Sequence, residues 1–148
     1  MIILQTIGIL FFTALIHEAG HALAARYYRQ TIHQVMIWQG SYKYRIGFTV
    51  KRCMFLLGWF PYGGFVMAFN SRCQTSPAQN FFITFWGPLA NLLAASGYFF
   101  TGNPVWQLFF VFNLVTAINS LLPFSKQKDG YRLLQILKQW YLSKKLCR

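Results

Sequence analysis

Five residues near the N-terminus, His17-Glu18-Ala19-Gly20-His21, carry two imidazoles and a carboxylate at a spacing that suits a metal ion. Residues four apart share a helix face, so His17 and His21 project side by side and can hold one zinc ion. Glu18 lies beside them, aimed at a metal-bound water rather than at the metal. Zinc brings the pKa of such a water toward neutrality, and a neighbouring carboxylate takes its proton as it attacks a peptide carbonyl. Gly20 leaves the helix surface open to metal and substrate. Catalytic zinc usually combines three protein ligands with a water, so a third ligand must come from elsewhere. The chain has only two acidic residues, Glu18 and Asp129, against 14 Lys and Arg. His33 follows the apolar segment in a stretch that reads as a β-hairpin, where an ordinary polar loop histidine is expected. Asp129 is therefore the third ligand by elimination. It also precedes Gly130 and a helical run, a position that suits an N-cap, and the two roles are compatible.

The elements around these residues are set by an unusual composition. Of the 148 residues, 55% are hydrophobic, 20% aromatic and 11% charged. A water-soluble domain carries about a quarter charged residues, so the composition points to a polytopic membrane protein. A net charge of +12 suggests nucleic acid at first sight, but basic nucleic-acid modules do not carry such long apolar runs. Cys53, Cys73 and Cys147 are odd in number and form no CxxC, which argues against a disulfide framework and a thiolate zinc site.

The hydropathy pattern predicts three transmembrane helices, at 2–28, 81–100 and 105–122. Between the first two, 35–38 and 42–48 read as a β-hairpin turning at Gly40-Ser41. The run 54–69 is broken by Gly58, Pro61, Gly63 and Gly64 and reads as a re-entrant loop, whose backbone must be covered by protein. Pro88 is expected to kink the second span. The tail 129–146 sets Leu133, Leu134, Leu137, Trp140 and Tyr141 on one side and reads as an amphipathic helix on an anionic surface. With the N-terminus outside and 54–69 entering and leaving on one side, all 14 Lys and Arg fall on the cytoplasmic face. The turn 101–104 is external and uncharged. His17 then lies about 24 Å along the first helix, near the inner edge of the hydrocarbon, where Asp129 also emerges. Three ionisable groups at that depth are costly unless something compensates them, and a divalent cation does so.

Four motifs in order carry a resemblance to a known family. His17-Glu18-Ala19-Gly20-His21 resembles the HExGH of the site-2 proteases, the M50 peptidases, which are intramembrane zinc metalloproteases. Pro61-Tyr62-Gly63-Gly64-Phe65-Val66 is similar to that family's membrane-inserted loop, and Gly87-Pro88-Leu89-Ala90-Asn91 to its GPxxN. The stretch from Asn119 through Pro123 to Asp129-Gly130 resembles its NxxPxxxxDG, with longer spacings and a polar link, 125–128. The resemblance implies His17, His21 and Asp129 as zinc ligands and Glu18 as general base. It also implies that Asn91 orients the substrate backbone and that the hairpin region, with Gly63 and Gly64, offers an edge to an extended substrate.

The expectation is thus one membrane-embedded catalytic core, 1–148, in a bacterial cell membrane. It would cleave transmembrane segments or small membrane-bound peptide precursors near the cytoplasmic leaflet, with no nucleic-acid partner. A metal-transport protein would need polar residues continuing along a path through the bilayer, and the outer halves of the spans offer few: Gln5, Thr13, Ser96 and Gln107. An inactive peptide-gripping scaffold would have no use for Glu18.

Overall fold

The computed structural model describes residues 2–39, 45–69, 75–100 and 102–146. Helix α1 (Ile2–Tyr27) leads into four strands: β1 (Thr31–Gln39), β2 (Ile46–Val50), β3 (Cys53–Leu57) and β4 (Phe60–Phe69). Helices α2 (Pro77–Ala95), α3 (Pro104–Leu121) and α4 (Asp129–Leu146) follow, with a 3₁₀ turn, Ser96–Phe100, after α2. Helix α2 packs against α1, α3 and α4, while α1 also carries the sheet through β1 and β4.

Local chemistry accounts for the helix starts. The Ser76 hydroxyl accepts from the Gln79 N–H, and the Gln79 side chain accepts in return from the Ser76 N–H, a capping box with Pro77 in the first turn. Asn103 caps α3 through the Val105 N–H, again just before a proline. Gly20 sits at the α1–α2 crossing, where a Cβ would lie 2.9 Å from the Ala90 Cβ and 2.5 Å from the Trp86 carbonyl oxygen. Pro88 is buried inside α2, which runs through it without interruption.

The sheet differs from the expected hairpin and loop. Its order is β2-β3-β1-β4. Residues 35–37 pair in parallel with 55–57 and antiparallel with 64–66, instead of folding back on 42–48. The expected turn at Gly40-Ser41 lies outside the described residues, as do Cys73 and Cys147. The hairpin that does form joins β2 to β3 across Lys51-Arg52, both with positive φ (44° and 71°). Residues 54–69 are mostly strand, because β1 supplies partners for both β3 and β4.

Side-chain burial is inverted relative to a protein in water. The buried hydrophobics are few and mostly small, whereas Thr13, His17, Glu18, Asn91, Asn113 and Asp129 are all buried. Ile3, Leu4, Trp106, Ile118 and many other large apolar side chains face outward. One of the inward polar contacts joins helices: Asn113 Nδ2 donates to Thr13 Oγ1 (3.3 Å) and to the Phe109 carbonyl (2.9 Å). Two helices, Ile3–Tyr27 and Pro104–Leu121, are long and apolar enough to cross a bilayer. Helix α2, expected as the second span, is not one of the two; Gln79, Asn80 and Asn91 dilute its apolar run.

The Lys51-Arg52 turn makes a direct prediction. A non-glycine residue in the left-handed region costs roughly 1 kcal/mol or more. Arg52→Gly should therefore raise the thermal midpoint of the purified protein in detergent. A lowered midpoint would mean that the Arg52 side chain itself holds the turn.

Candidate metal centre

Helix α1 delivers His17 and His21 one turn apart, with ring centroids 4.8 Å from each other. The His21 Nδ1–H donates to the Ile83 carbonyl of α2 at 2.8 Å. In a neutral ring that leaves the lone pair on Nε2, which is how a ligating histidine is oriented. Nε2 of His21 faces Nε2 of His17 at 3.2 Å. Both face Asp129 Oδ2, at 3.0 Å from His17 and 3.4 Å from His21. These three atoms form a nearly equilateral triangle. In a tetrahedral zinc site with bonds of about 2.0–2.1 Å, ligand atoms stand about 3.3 Å apart, so the donor set and its spacing fit zinc.

Asp129 reaches the pair because of how α4 begins. The first helical bond runs from the Arg132 N–H to the Lys128 carbonyl, so Asp129 is the first helical residue rather than the N-cap. Its carboxylate is thereby free to turn to the histidines. Gly130 permits the approach, since a Cβ there would collide with the backbone of Leu121 at the end of α3. Burial works to raise the Asp129 pKa, but hydrogen bonds with His17 and His21, together with their charge, outweigh it. They hold the carboxyl below the usual carboxylate range.

Gly87 forms the opposite wall. A Cβ there would occupy the His21 ring, so α2 can back the imidazole only with glycine at this position. Glu18 points to another side. A Cβ on Gly64 would strike Glu18 Oε1, which places the carboxylate directly against β4. Glu18 Oε2 is buried and has no hydrogen-bond partner among the described residues.

His17, Glu18, His21 and Asp129 all line one cavity of about 780 Å³. Strand β4 is an edge strand of the sheet, and its residues 63–66 and 68 form part of the wall. Gly63 and Gly64, expected at the substrate edge, are thus beside the metal centre. Asn91 is not: it is fully buried, both of its amide atoms lack partners among the described residues, and it does not line the cavity. His33 is exposed but lies within strand β1 rather than in the expected loop, because residues 31–39 pair with β3 and β4, and Cys53 is a free thiol. Sequence reasoning missed the Ile83 carbonyl and Trp38, which also lines the cavity. A backbone carbonyl leaves no trace in residue types, and nothing about Trp38 marks it before the strand is folded.

An apolar helical bundle thus holds a His–His–Asp cluster able to take a metal ion, in a cavity bounded by a strand edge. The comparison with protein families is more specific: residues 5–104 match Peptidase family M50. That is more than half of the chain, and the protein belongs to this family, whose members are membrane metalloproteases of the site-2 protease kind. No curated protein matches the sequence. The family match ends before Asp129, so placing this residue with the histidines is the work of the fold.

Two substitutions test the centre. Asp129→Asn should lower zinc per protein, measured by elemental analysis after dialysis against a weak chelator. Gly87→Val should weaken zinc binding by about 10- to 100-fold through displacement of His21, although it touches no ligand atom directly. Full occupancy in Asp129→Asn would remove that residue from the ligand set.

Proposed function

We propose that this protein is an intramembrane zinc endopeptidase that hydrolyses transmembrane segments or small membrane-bound peptide precursors near the cytoplasmic leaflet. The observation that carries the reading is the placement of a buried, unpaired Glu18 oxygen beside the His17–His21–Asp129 triangle, in a cavity bounded by a strand edge. A site that only stored or passed a cation would gain nothing from a carboxylate held outside the ligand set.

When bound, zinc supplies Lewis acidity, making water nucleophilic near neutral pH and polarising a peptide carbonyl. His17, His21 and Asp129 hold it. Glu18 takes a proton from the attacking water and passes it to the departing amide nitrogen. Strand β4 binds the substrate by adding it as a further strand through the open edge at Gly63-Gly64, where the absence of side chains lets two backbones approach. A helical substrate must unwind first, because a helix already uses its own carbonyls. Asn91 would reach a substrate only after a side-chain or helix movement.

In this reading α1, α2 with its 3₁₀ turn, and α3 span the bilayer, with the N-terminus outside. Outward-facing apolar side chains meet lipid, and Lys and Arg gather on the cytoplasmic side. Helix α4 lies along the inner interface. Leu133 is packed against the protein, while Leu134, Leu137 and Tyr141 remain exposed to insert among acyl chains.

Glu18→Gln separates binding from catalysis. The variant should keep its zinc and lose cleavage of a co-expressed single-span substrate by about 10²–10⁴-fold, the usual contribution of a general base. Cleavage at the wild-type rate would exclude Glu18 from proton transfer.

A further inference from the structure

Trp38 stands out on the cavity wall, on the N-terminal side of the metal centre along α1. It interrupts the β1–β4 ladder, whose register shifts between Ile37 and Gln39. Its φ is +63°, a left-handed conformation that a bulky side chain adopts only when its surroundings impose it. Residues 61–63 of β4 stand against this single residue of β1, and such an irregularity re-aims the side chains beside it. Here the indole stands edge-on to Phe11 of α1, with centroids 5.7 Å apart and planes at 90°. It lines the cavity together with Leu10, Thr13, Ala14 and Gly63.

The indole Nε1 is buried and has no hydrogen-bond partner among the described residues. An indole N–H can only donate, so what it lacks is an acceptor. A strained residue on a cavity wall with a buried, unsatisfied donor is a place where a small shift of the ring on ligand binding completes the pairing.

We propose that Trp38 is a substrate-positioning residue, whose indole N–H donates to an oxygen acceptor of the extended substrate about three residues from the scissile bond. The distance follows from α1. Phe11 lies seven residues before Glu18, about 10 Å at 1.5 Å per residue, and a strand advances about 3.3 Å per residue. The acceptor is therefore deeper in the membrane than the cleaved bond. It is either a backbone carbonyl freed when the substrate helix unwinds, or a side-chain amide or hydroxyl at that position. Both offer the same chemistry, an uncompensated oxygen in an apolar segment. Substrates would accordingly be membrane segments with a helix-weakening or polar residue on the outer side of the cleavage point. The inference rests on the protease reading above.

The test uses the full-length protein in phosphatidylcholine vesicles and a synthetic Leu/Ala-rich membrane peptide with a central Gly-Pro break. Trp38→Phe keeps the ring and removes the donor. It should lower kcat/KM about 5- to 20-fold with zinc content unchanged. Peptide amides are then replaced one at a time by esters, whose carbonyls accept more weakly. One ester, about three residues from the cleaved bond, should slow the wild type and leave Trp38→Phe unaffected. Coupling instead to a single Asn or Thr placed along the peptide would assign the acceptor to a side chain. Wild-type kcat/KM in Trp38→Phe, or a loss that couples to neither scan, overturns the proposal and leaves a structural role. If the wild type cleaves no peptide, the protease reading fails separately. Affinity for the same peptide, measured in the Glu18→Gln protein with and without Trp38→Phe, then decides: a weaker affinity supports the pairing, and an equal one overturns it.

Discussion

A carboxylate and two imidazoles from points 112 and 108 residues apart meet at 3.0–3.4 Å in a buried part of an apolar molecule. Each alone would be costly there. Around a divalent cation the carboxylate offsets part of the charge, and the imidazoles contribute lone pairs that need no counter-ion. The remaining structure serves this convergence. Helix α1 sets the two imidazoles one turn apart. Helix α2 buttresses one of them with a carbonyl and gives way to it at Gly87. The short link after α3 lets α4 start where its first residue can face the pair. The sheet then seals the remaining side and brings Gly64 against Glu18.

Glu18 stands apart from the His17–His21–Asp129 cluster, and in the proposed mechanism that division separates chemistry from storage. Neighbours on a helix point about 100° apart, so Glu18 cannot share the face of His17 and His21. Strand β4 takes up the direction in which it does point. Glu18 and the His17–His21–Asp129 cluster line the same cavity, whose wall includes the β4 edge at Gly63 and Gly64. The adjacent Gly63 and Gly64 carry no side chains that would block an approach to that edge.

How much of this could be read from residue types differs from element to element. The histidine pair was legible because helical periodicity is local. Asp129 was legible because so few carboxylates exist to choose among, although its position at the first helical turn, rather than the cap, depended on where the Lys128 carbonyl falls. The helices were legible as apolar runs, with α2 beginning at Pro77, ahead of the expected span. The sheet was not. Parallel pairing of β1 with β3 joins segments that no local pattern links, and the tight turn is made by Lys51-Arg52, residues that do not announce a left-handed conformation. The bulge at Trp38 and the fit of Gly87 to His21 are properties of packed backbones and were invisible for the same reason. Asn91 shows the reverse problem: a motif position with an expected role that the fold places away from the cavity.

The most direct measurement of the central claim is X-ray absorption at the zinc edge of the purified, zinc-loaded protein. The account requires a first shell of nitrogen and oxygen only, at about 2.0–2.1 Å, with outer-shell scattering from two imidazole rings. Sulfur in the first shell, or the signature of a single imidazole, would contradict it.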